Sequence, residues 1–383
     1  MKIVTIIGAR PQIIKAAALS RTIKKHFASQ ITEIIVHTGQ HYDENMSQIF
    51  FDELGIPAPN FNLSVGSGSH GKQTATMISG IEDVLLQEKP QAIVLYGDTN
   101  STLAGAIAAS KIHIPVVHIE AGLRSFNKAM PEEVNRIMCD HVSTLLFSPT
   151  KTGYTNLVNE GFKEKNTAPY NNNNPKIYQS GDVMYDNSLY FSEVAETQTT
   201  IIEKHKLTKN KFILATIHRN NNTDEPERLN ALFKALYSIS EKHQLDVLLP
   251  LHPRTAKLLS FNLDRELYEK IKASVHFKII EPVSFLEMIA LEKNCQIVMT
   301  DSGGVQKEAF YFEKPCVILR PETEWVELVE CGTAIIADAN EHKITEAFAL
   351  LTSKKDMQFP KLYGDGKAAE FMCNEMLKHL GRQ

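Results

Sequence analysis

Short apolar runs rich in valine and isoleucine recur along this chain, and a longer amphipathic stretch follows each of them. In the first half the runs are KIVTIIG, EIIVHTG, AIVLYGD, PVVHIE, TLLFSP and KIYQSG; in the second they are KFILATIH, VLLPLH, HFKII, QIVMTDS, PCVILR and TAIIAD. A run that is apolar throughout suits a strand buried on both faces, as in a parallel sheet covered by crossover helices. Each half therefore predicts βαβ units, with helices over segments such as 11–27 and 224–243. A chain of 383 residues is too long for one ordinary core. The expected fold is α/β: two Rossmann-like domains whose parallel sheets face across a cleft. Residues 1–185 form the first domain and 186–365 the second, with a polar, helix-prone crossing near 185–210. A terminal helix within 366–383 could dock on either domain, packing back on the first as one option.

Composition narrows the function. Net charge is −4 and the pI is near 6.4, so no basic excess points to nucleic acid or to an anionic membrane. No apolar run reaches membrane-spanning length. The opening MKIVTIIGARP turns polar too early for a secretory signal. Five cysteines lack any CxxC spacing, which suits buried thiols in a reducing cytoplasm. No HxxxH spacing suggests a metal. Neither GxGxxG nor a Walker loop is present, so neither a nicotinamide nor ATP is implied. The YNNNNPK stretch, 170–176, reads as an exposed loop.

In doubly wound sheets ligands bind at the carboxyl ends of the strands, so the residues just after each run matter most. The first run is followed by Gly8, which suits a tight turn, then Arg10, Pro11 and Lys15. Arg10 beside a helix start reads as a phosphate clamp or as a surface arginine. Asp98 follows the AIVLY run and reads alone as a helix cap. Glu120 ends a buried run and needs a partner or a task. His118, two residues earlier, reads as a hydrogen-bonded core histidine. In PEEVNR, Glu132, Asn135 and Arg136 share one helical face, with Glu133 a quarter-turn away. They read as a surface pair or as a cleft lining. His218 and His252 close successive runs in the second half, and Phe285 precedes a helix. In TDSGGVQKEAF, Ser302 caps a helix while Gly303 and Gly304 bare backbone amides at its positive end. That is an anion site without a lysine. Glu308, one turn inside, suits a ribose diol.

Taken in order, GARPQIIK, HTGQHYDENM, YGDTNSTLAG, HIEAGLRS, PEEVNR, IHR, LHP and DSGGVQKEA resemble the non-hydrolysing UDP-N-acetylglucosamine 2-epimerase family. That family's fold is similar to that of the GT-B glycosyltransferases. The resemblance implies that Arg10, His252, Ser302, Gly303 and Gly304 hold the diphosphate and that Glu308 holds the ribose. The loop around Phe285 would receive the uracil. Asp98, Glu120 and Glu132 match the family's catalytic carboxylates and His218 its catalytic histidine; Lys15 and Arg136 match positions in the site. A UDP-sugar substrate, a homodimer, a cytoplasmic setting in surface polysaccharide synthesis and no cofactor are implied in the same way. Many bacterial members carry His-Arg-Glu-Met after the second strand, tied to an allosteric UDP-GlcNAc site. Here the stretch reads Gln40-His41-Tyr42-Asp43-Glu44-Asn45-Met46. The segment between AGLRS and PEE is also shorter. GARPQIIKAA, SFNKAMPEEVNR and ETEWVE resemble instead the branch acting on UDP-2,3-diacetamido-2,3-dideoxyglucuronate, with Trp325 where many members read Arg-Pro.

The family's chemistry explains these residue types. No carbonyl acidifies C2 of a UDP-sugar, so UDP is first expelled from C1. The C2 proton is then lost to a carboxylate, giving a glycal, and UDP adds back after the proton returns on the opposite face. The leaving diphosphate needs cations and bare amides, and two sugar faces need more than one acid–base group. The same residues could serve a hydrolysing epimerase, a GT-B glycosyltransferase or a nucleotide-sugar-binding protein without catalysis. Carboxylates after the third and fourth runs argue against the last, since binding an anion gains nothing from added negative charge.

Overall fold

The computed structural model describes residues 1–39, 55–251 and 253–381. Each of the twelve runs contains a strand, and a two-residue strand joins them. In chain order the first sheet holds β1 (Lys2–Ile7), β2 (Thr32–His37), β3 (Phe61–Asn62), β4 (Ala92–Tyr96), β5 (Val116–Ile119), β6 (Leu145–Ser148) and β7 (Lys176–Gln179). Its spatial order is β3-β2-β1-β4-β5-β6-β7, with parallel pairing throughout. β3 was not legible because two residues cannot display a period. The second sheet holds β8 (Phe212–Thr216), β9 (Asp246–Pro250), β10 (Phe277–Ile280), β11 (Ile297–Thr300), β12 (Cys316–Ile318) and β13 (Ala334–Ile336). Its order is β10-β9-β8-β11-β12-β13, also all parallel. Both are doubly wound sheets whose strand order reverses beside the first strand, the point where such folds bind ligands.

The helices form where the sequence lets them. Pro11 opens the helix Arg10–Thr22, which continues as a π-helical turn, Ile23–Phe27. The second-half helix begins at Pro226 and runs to His243; a separate short turn, Asn220–Thr223, precedes it. The helix Asn100–Lys111 is rich in small residues, so it lies deep in the first core, with Ala104, Ala106, Ala108 and Ala109 fully buried. A Cβ on Gly105 would come within 2.6 Å of Leu95 on β4. In the second unit Leu229, Leu232, Phe233 and Leu236 of the helix Pro226–His243 pack on β8 and β9.

The chain forms two compact units, Met1–Asn187 with Lys361–Gln383, and Ser188–Pro360. The unit boundary falls within the helix Val183–Gln198. The last helix, Ala368–Leu380, belongs to the first unit. Asp186 accepts the N–H groups of Ala368 (3.1 Å) and Ala369 (2.8 Å), and Tyr178 on β7 donates to Glu375 at 2.7 Å. Among the described residues no helix is long and apolar enough to cross a membrane.

Candidate functional site

In the first unit the carboxyl ends of β1, β4 and β5 converge. The turn after β1 is closed from inside. Buried Gln12 accepts the Gly8 and Ala9 amides (2.9 and 3.2 Å) and donates to the Tyr96 carbonyl at 3.0 Å. These two amides are therefore engaged, and Arg10 in the same turn is exposed. Gly8 serves close packing: a Cβ there would meet the hydroxyls of Ser101 and Thr38 at 2.1 and 2.2 Å.

Asp98 follows β4 and is not the helix cap that its spacing suggests. Thr99 is the cap, which leaves the Asp98 carboxylate to pair with Arg136. Asn135 donates to the Asp98 carbonyl at 3.0 Å. The helix Pro131–Val142 thus brings Asn135 and Arg136 to Asp98, but its face is not the one expected. Glu133, buried, is the carboxylate that pairs with Arg136 (2.7 Å), while Glu132 is exposed. Glu133 also accepts the Ser125 and Phe126 amides at 2.9 and 3.0 Å. Burial works against its charge, but those amides and Arg136 outweigh it and hold its pKa below the ordinary carboxylate value. An (i, i+3) contact replaced the assumed (i, i+4) one because the preceding loop folds back over Glu133.

Glu120 follows β5 and pairs with Lys15 from the first helix. Its φ of +73° lies in the left-handed region, costly for a residue with a Cβ. Gly97 makes room for the pair: with φ +64°, its absent Cβ would lie 3.2 Å from both the Glu120 carboxylate and the Lys15 ammonium. Burial disfavours the Lys15 charge, yet Glu120, Asp98 and Asp182 outweigh it and raise the lysine pKa. Lys15 therefore stays cationic and feels both strand-end carboxylates.

His118 is a core histidine. It is fully buried, with Nδ1 at 2.6 Å from Asp140 and Nε2 at 2.8 Å from the Gly97 carbonyl. Two acceptors require both ring nitrogens to carry protons. Burial opposes that charge, but the Cys139 sulfur and Asp140 raise the pKa well above the ordinary value. The imidazolium anchors the Gly97 turn that carries Asp98.

In the second unit β8 and β11 flank the switch point. His218, just past β8, keeps its side chain 54% exposed while Nδ1 lies 2.9 Å from Asp301. Asp301, just past β11, is fully buried and also accepts the backbone amides of His218 and Arg219 and the Asn222 side chain. Burial would raise its pKa; these donors lower it instead. Asp301 thus fixes the His218 ring and leaves Nε2 outward. The sequence reading passed over this aspartate. The readable signal was an acidic residue closing one buried run beside a histidine closing another.

Ser302 caps the helix Gly303–Tyr311 as expected. Among the described residues nothing accepts the Gly303 or Gly304 amide. Among the described residues the nearest neighbour of a Cβ built on Gly304 is the Ser302 hydroxyl at 3.9 Å. Gly304 and Glu308 are four residues apart, so they share a face about 6 Å along the axis. A ligand lying on that face meets the amides first and the carboxylate next. Arg320, nearly buried, forks onto Glu324 (3.0 and 2.8 Å) beside Gly303. Trp325 donates to the Gly303 carbonyl at 2.9 Å and stacks under the Lys307 ammonium at 4.2 Å. Phe285 is the first residue of its helix, not part of the preceding loop. It is half-buried, edge-on to Phe191 at 5.2 Å. His252 and the Gln40–Met46 stretch lie outside the described residues. No group of His, Cys, Asp and Glu among the described residues could hold a metal ion.

A Pseudomonas aeruginosa protein named UDP-2,3-diacetamido-2,3-dideoxy-D-glucuronate 2-epimerase is 48% identical over 378 residues, covering 99% of this chain and 100% of its own length. The solved UDP-GlcNAc 2-epimerase of Methanocaldococcus jannaschii superposes with a TM-score of 0.86 at 39% identity, covering 99% of this chain and 100% of that one. The same organism's enzyme in complex with UDP-GlcNAc and UDP is 40% identical, with a TM-score of 0.78 and the same coverage. The sequence profile of the UDP-N-acetylglucosamine 2-epimerase family matches residues 23–377, and the chain belongs to that family of UDP-sugar isomerases.

Proposed function

We propose that this protein is a non-hydrolysing 2-epimerase of a UDP-N-acetylated hexose, of the UDP-GlcNAc to UDP-ManNAc type. The observation that carries this reading is the pair of strand-end carboxylates, Asp98 on Arg136 and Glu120 on Lys15. Each carboxylate has a cation beside it and stands at a strand end, where a general base for a bound sugar would be placed. In this reading the second unit binds UDP. The Gly303 and Gly304 amides, with Arg10 and His252, stabilise the departing diphosphate, and Glu308 holds the ribose. His218, oriented by Asp301, donates a hydrogen bond to the leaving group. Phe285 lines the uracil side. Asp98, Glu120 and Glu132 move the C2 proton. UDP stays bound while the glycal exists and adds back to C1. A homodimer and a cytoplasmic setting complete the proposal.

A second sugar is favoured by the 48% identical Pseudomonas relative and by Trp325: UDP-2,3-diacetamido-2,3-dideoxyglucuronate. Incubation in deuterium oxide with each UDP-sugar separately, followed by proton NMR, tests both. The epimerase reading expects C2 deuteration and the C2 epimer with no acceptor present. Free UDP accumulating in step with turnover would mean hydrolysis instead. Asp98→Asn and Glu120→Gln should retain UDP binding and lose C2 exchange; full exchange in both variants would refute the assignment of these carboxylates.

A further inference from the structure

Asp301 orients His218, and the chain of contacts runs on beyond Asp301. Asn222, in the short turn Asn220–Thr223, is 0% exposed. Its side-chain nitrogen donates to Asp301 Oδ2 at 3.0 Å and to the Leu319 carbonyl at 2.9 Å. Its side-chain oxygen accepts from Arg228 Nε and Nη2 at 3.1 and 2.9 Å. Arg228, in the first turn of the helix Pro226–His243, also pairs with Asp338. The guanidinium there holds the Asp338 carboxyl below the ordinary carboxylate value. His218, Asp301, Leu319 and Asp338 stand just past β8, β11, β12 and β13, which are neighbours in that order in the sheet. The network therefore crosses the carboxyl edge of four adjacent strands and ends on the histidine.

The partners of the Asn222 amide dictate which way it points. A guanidinium only donates and a backbone carbonyl only accepts. The amide oxygen must face Arg228 and the NH2 group must face Leu319, which turns the second N–H onto Asp301. Both N–H groups and both lone pairs are then used, as full burial requires. The consequence falls on Asp301. Its Oδ2 takes the Asn222 amide at 3.0 Å and the Arg219 N–H at 3.1 Å, while its Oδ1 faces His218 Nδ1 at 2.9 Å. One torsion places both oxygens of a carboxylate, so a donor fixed on one oxygen aims the other.

We propose that Asn222 and Arg228 are positioning residues for the reaction: Arg228 locks the Asn222 amide, and the amide fixes the rotation of the Asp301 carboxylate that aims His218 at the leaving group. The inference rests on the reading of His218 as the donor to the departing UDP. Without Arg228 the amide loses the two donors that hold its oxygen away from Asp301. An amide turned over would set two acceptors against each other, and Asp301 would rotate to avoid that contact. The half-exposed His218 ring then loses its single orientation. A network that only closed the sheet edge would act on stability, and its effect would not depend on the histidine.

The test uses the full-length protein. C2 deuterium exchange is followed over long incubations with UDP-GlcNAc or the diacetamido uronate, whichever wild type turns over, and UDP affinity is read by calorimetry. Arg228→Leu should lower kcat about tenfold, the size of one misplaced hydrogen bond, with KM and UDP affinity within about twofold of wild type. Arg228→Lys, which keeps a cationic donor for the Asn222 oxygen, should recover most of the loss. In a His218→Gln background Arg228→Leu should cost nothing further, because the two changes remove the same contribution. Unchanged kcat in Arg228→Leu, or an equal loss in both backgrounds, overturns the positioning role. Should Arg228→Leu not fold, Asp338→Asn removes only the outer anchor of Arg228 and goes through the same cycle, with a loss of about threefold expected. His218→Gln alone separates the two levels. If it leaves kcat unchanged, the histidine reading falls and takes the proposal with it. If it lowers kcat and Arg228→Leu adds to it in full, the histidine reading stands and the proposal falls.

Discussion

At the scale of single residues, the site depends on buried charges that are held by specific partners. Asp301 makes the case for the second unit. Its contact with His218 Nδ1 and its three further donors keep one ring orientation of an otherwise exposed histidine. On the role proposed for His218, Asp301→Asn should lower kcat about 100-fold while UDP affinity changes little. Rate and binding measured on the same preparation check this. His118 gives a pH prediction. Its folded pKa is raised well above 6.5, so the stability it contributes is fully present below about pH 6.5 and is lost as pH rises through the folded pKa. Each pH unit inside that window removes about 1.4 kcal/mol. The melting temperature of the wild type should fall through the window by about 2–4 °C per kcal/mol. In His118→Gln the slope should flatten, which scanning calorimetry at several pH values would detect.

At the scale of elements, each functional group is set by where a strand stops and a helix starts. The strand β11 ends at Thr300, Asp301 turns inward, and Ser302 caps the helix that presents Gly303 and Gly304. Among the described residues none fills the space over Gly304, where the proposed UDP diphosphate would lie. Gly304→Ala should therefore leave the melting temperature within a few degrees of wild type. It should weaken UDP binding about tenfold or more, a cost of about 1.4 kcal/mol, because the methyl enters the ligand's space. Titration calorimetry with UDP reads this directly. The neighbouring Trp325 and Lys307 stack bolsters the same helix end from outside.

At the scale of the whole molecule, the chain builds two doubly wound units and then returns to the first. The final helix joins β7 through Tyr178 and Glu375, sets Phe371 edge-on to Phe147 and Tyr178, and receives its N-terminal cap from Asp186. Removing residues 361–383 should lower the first unit's melting temperature while leaving the second unit's unchanged. Hydrogen exchange resolved by segment would separate the two, with protection lost at β6 and β7.

Much of this was legible in the residues, for a definite reason. Buried parallel strands are short apolar runs, and a local pattern is enough to find them; all twelve runs contain strands. Their order along the chain makes doubly wound sheets the simplest topology, and the residues after each run then mark the ligand edge. Local sequence also identified Ser302 as a cap and His118 as a core histidine. What it could not supply was partnership. Lys15 and Glu120 are 105 residues apart, Asp98 and Arg136 38, and His218 and Asp301 83. The choice of Glu133 over Glu132 and of Thr99 over Asp98 as cap follows from which distant groups share a low-dielectric space. Charge, burial and hydrogen-bond supply at one point in space are properties of the folded chain, and only the tertiary structure decided them.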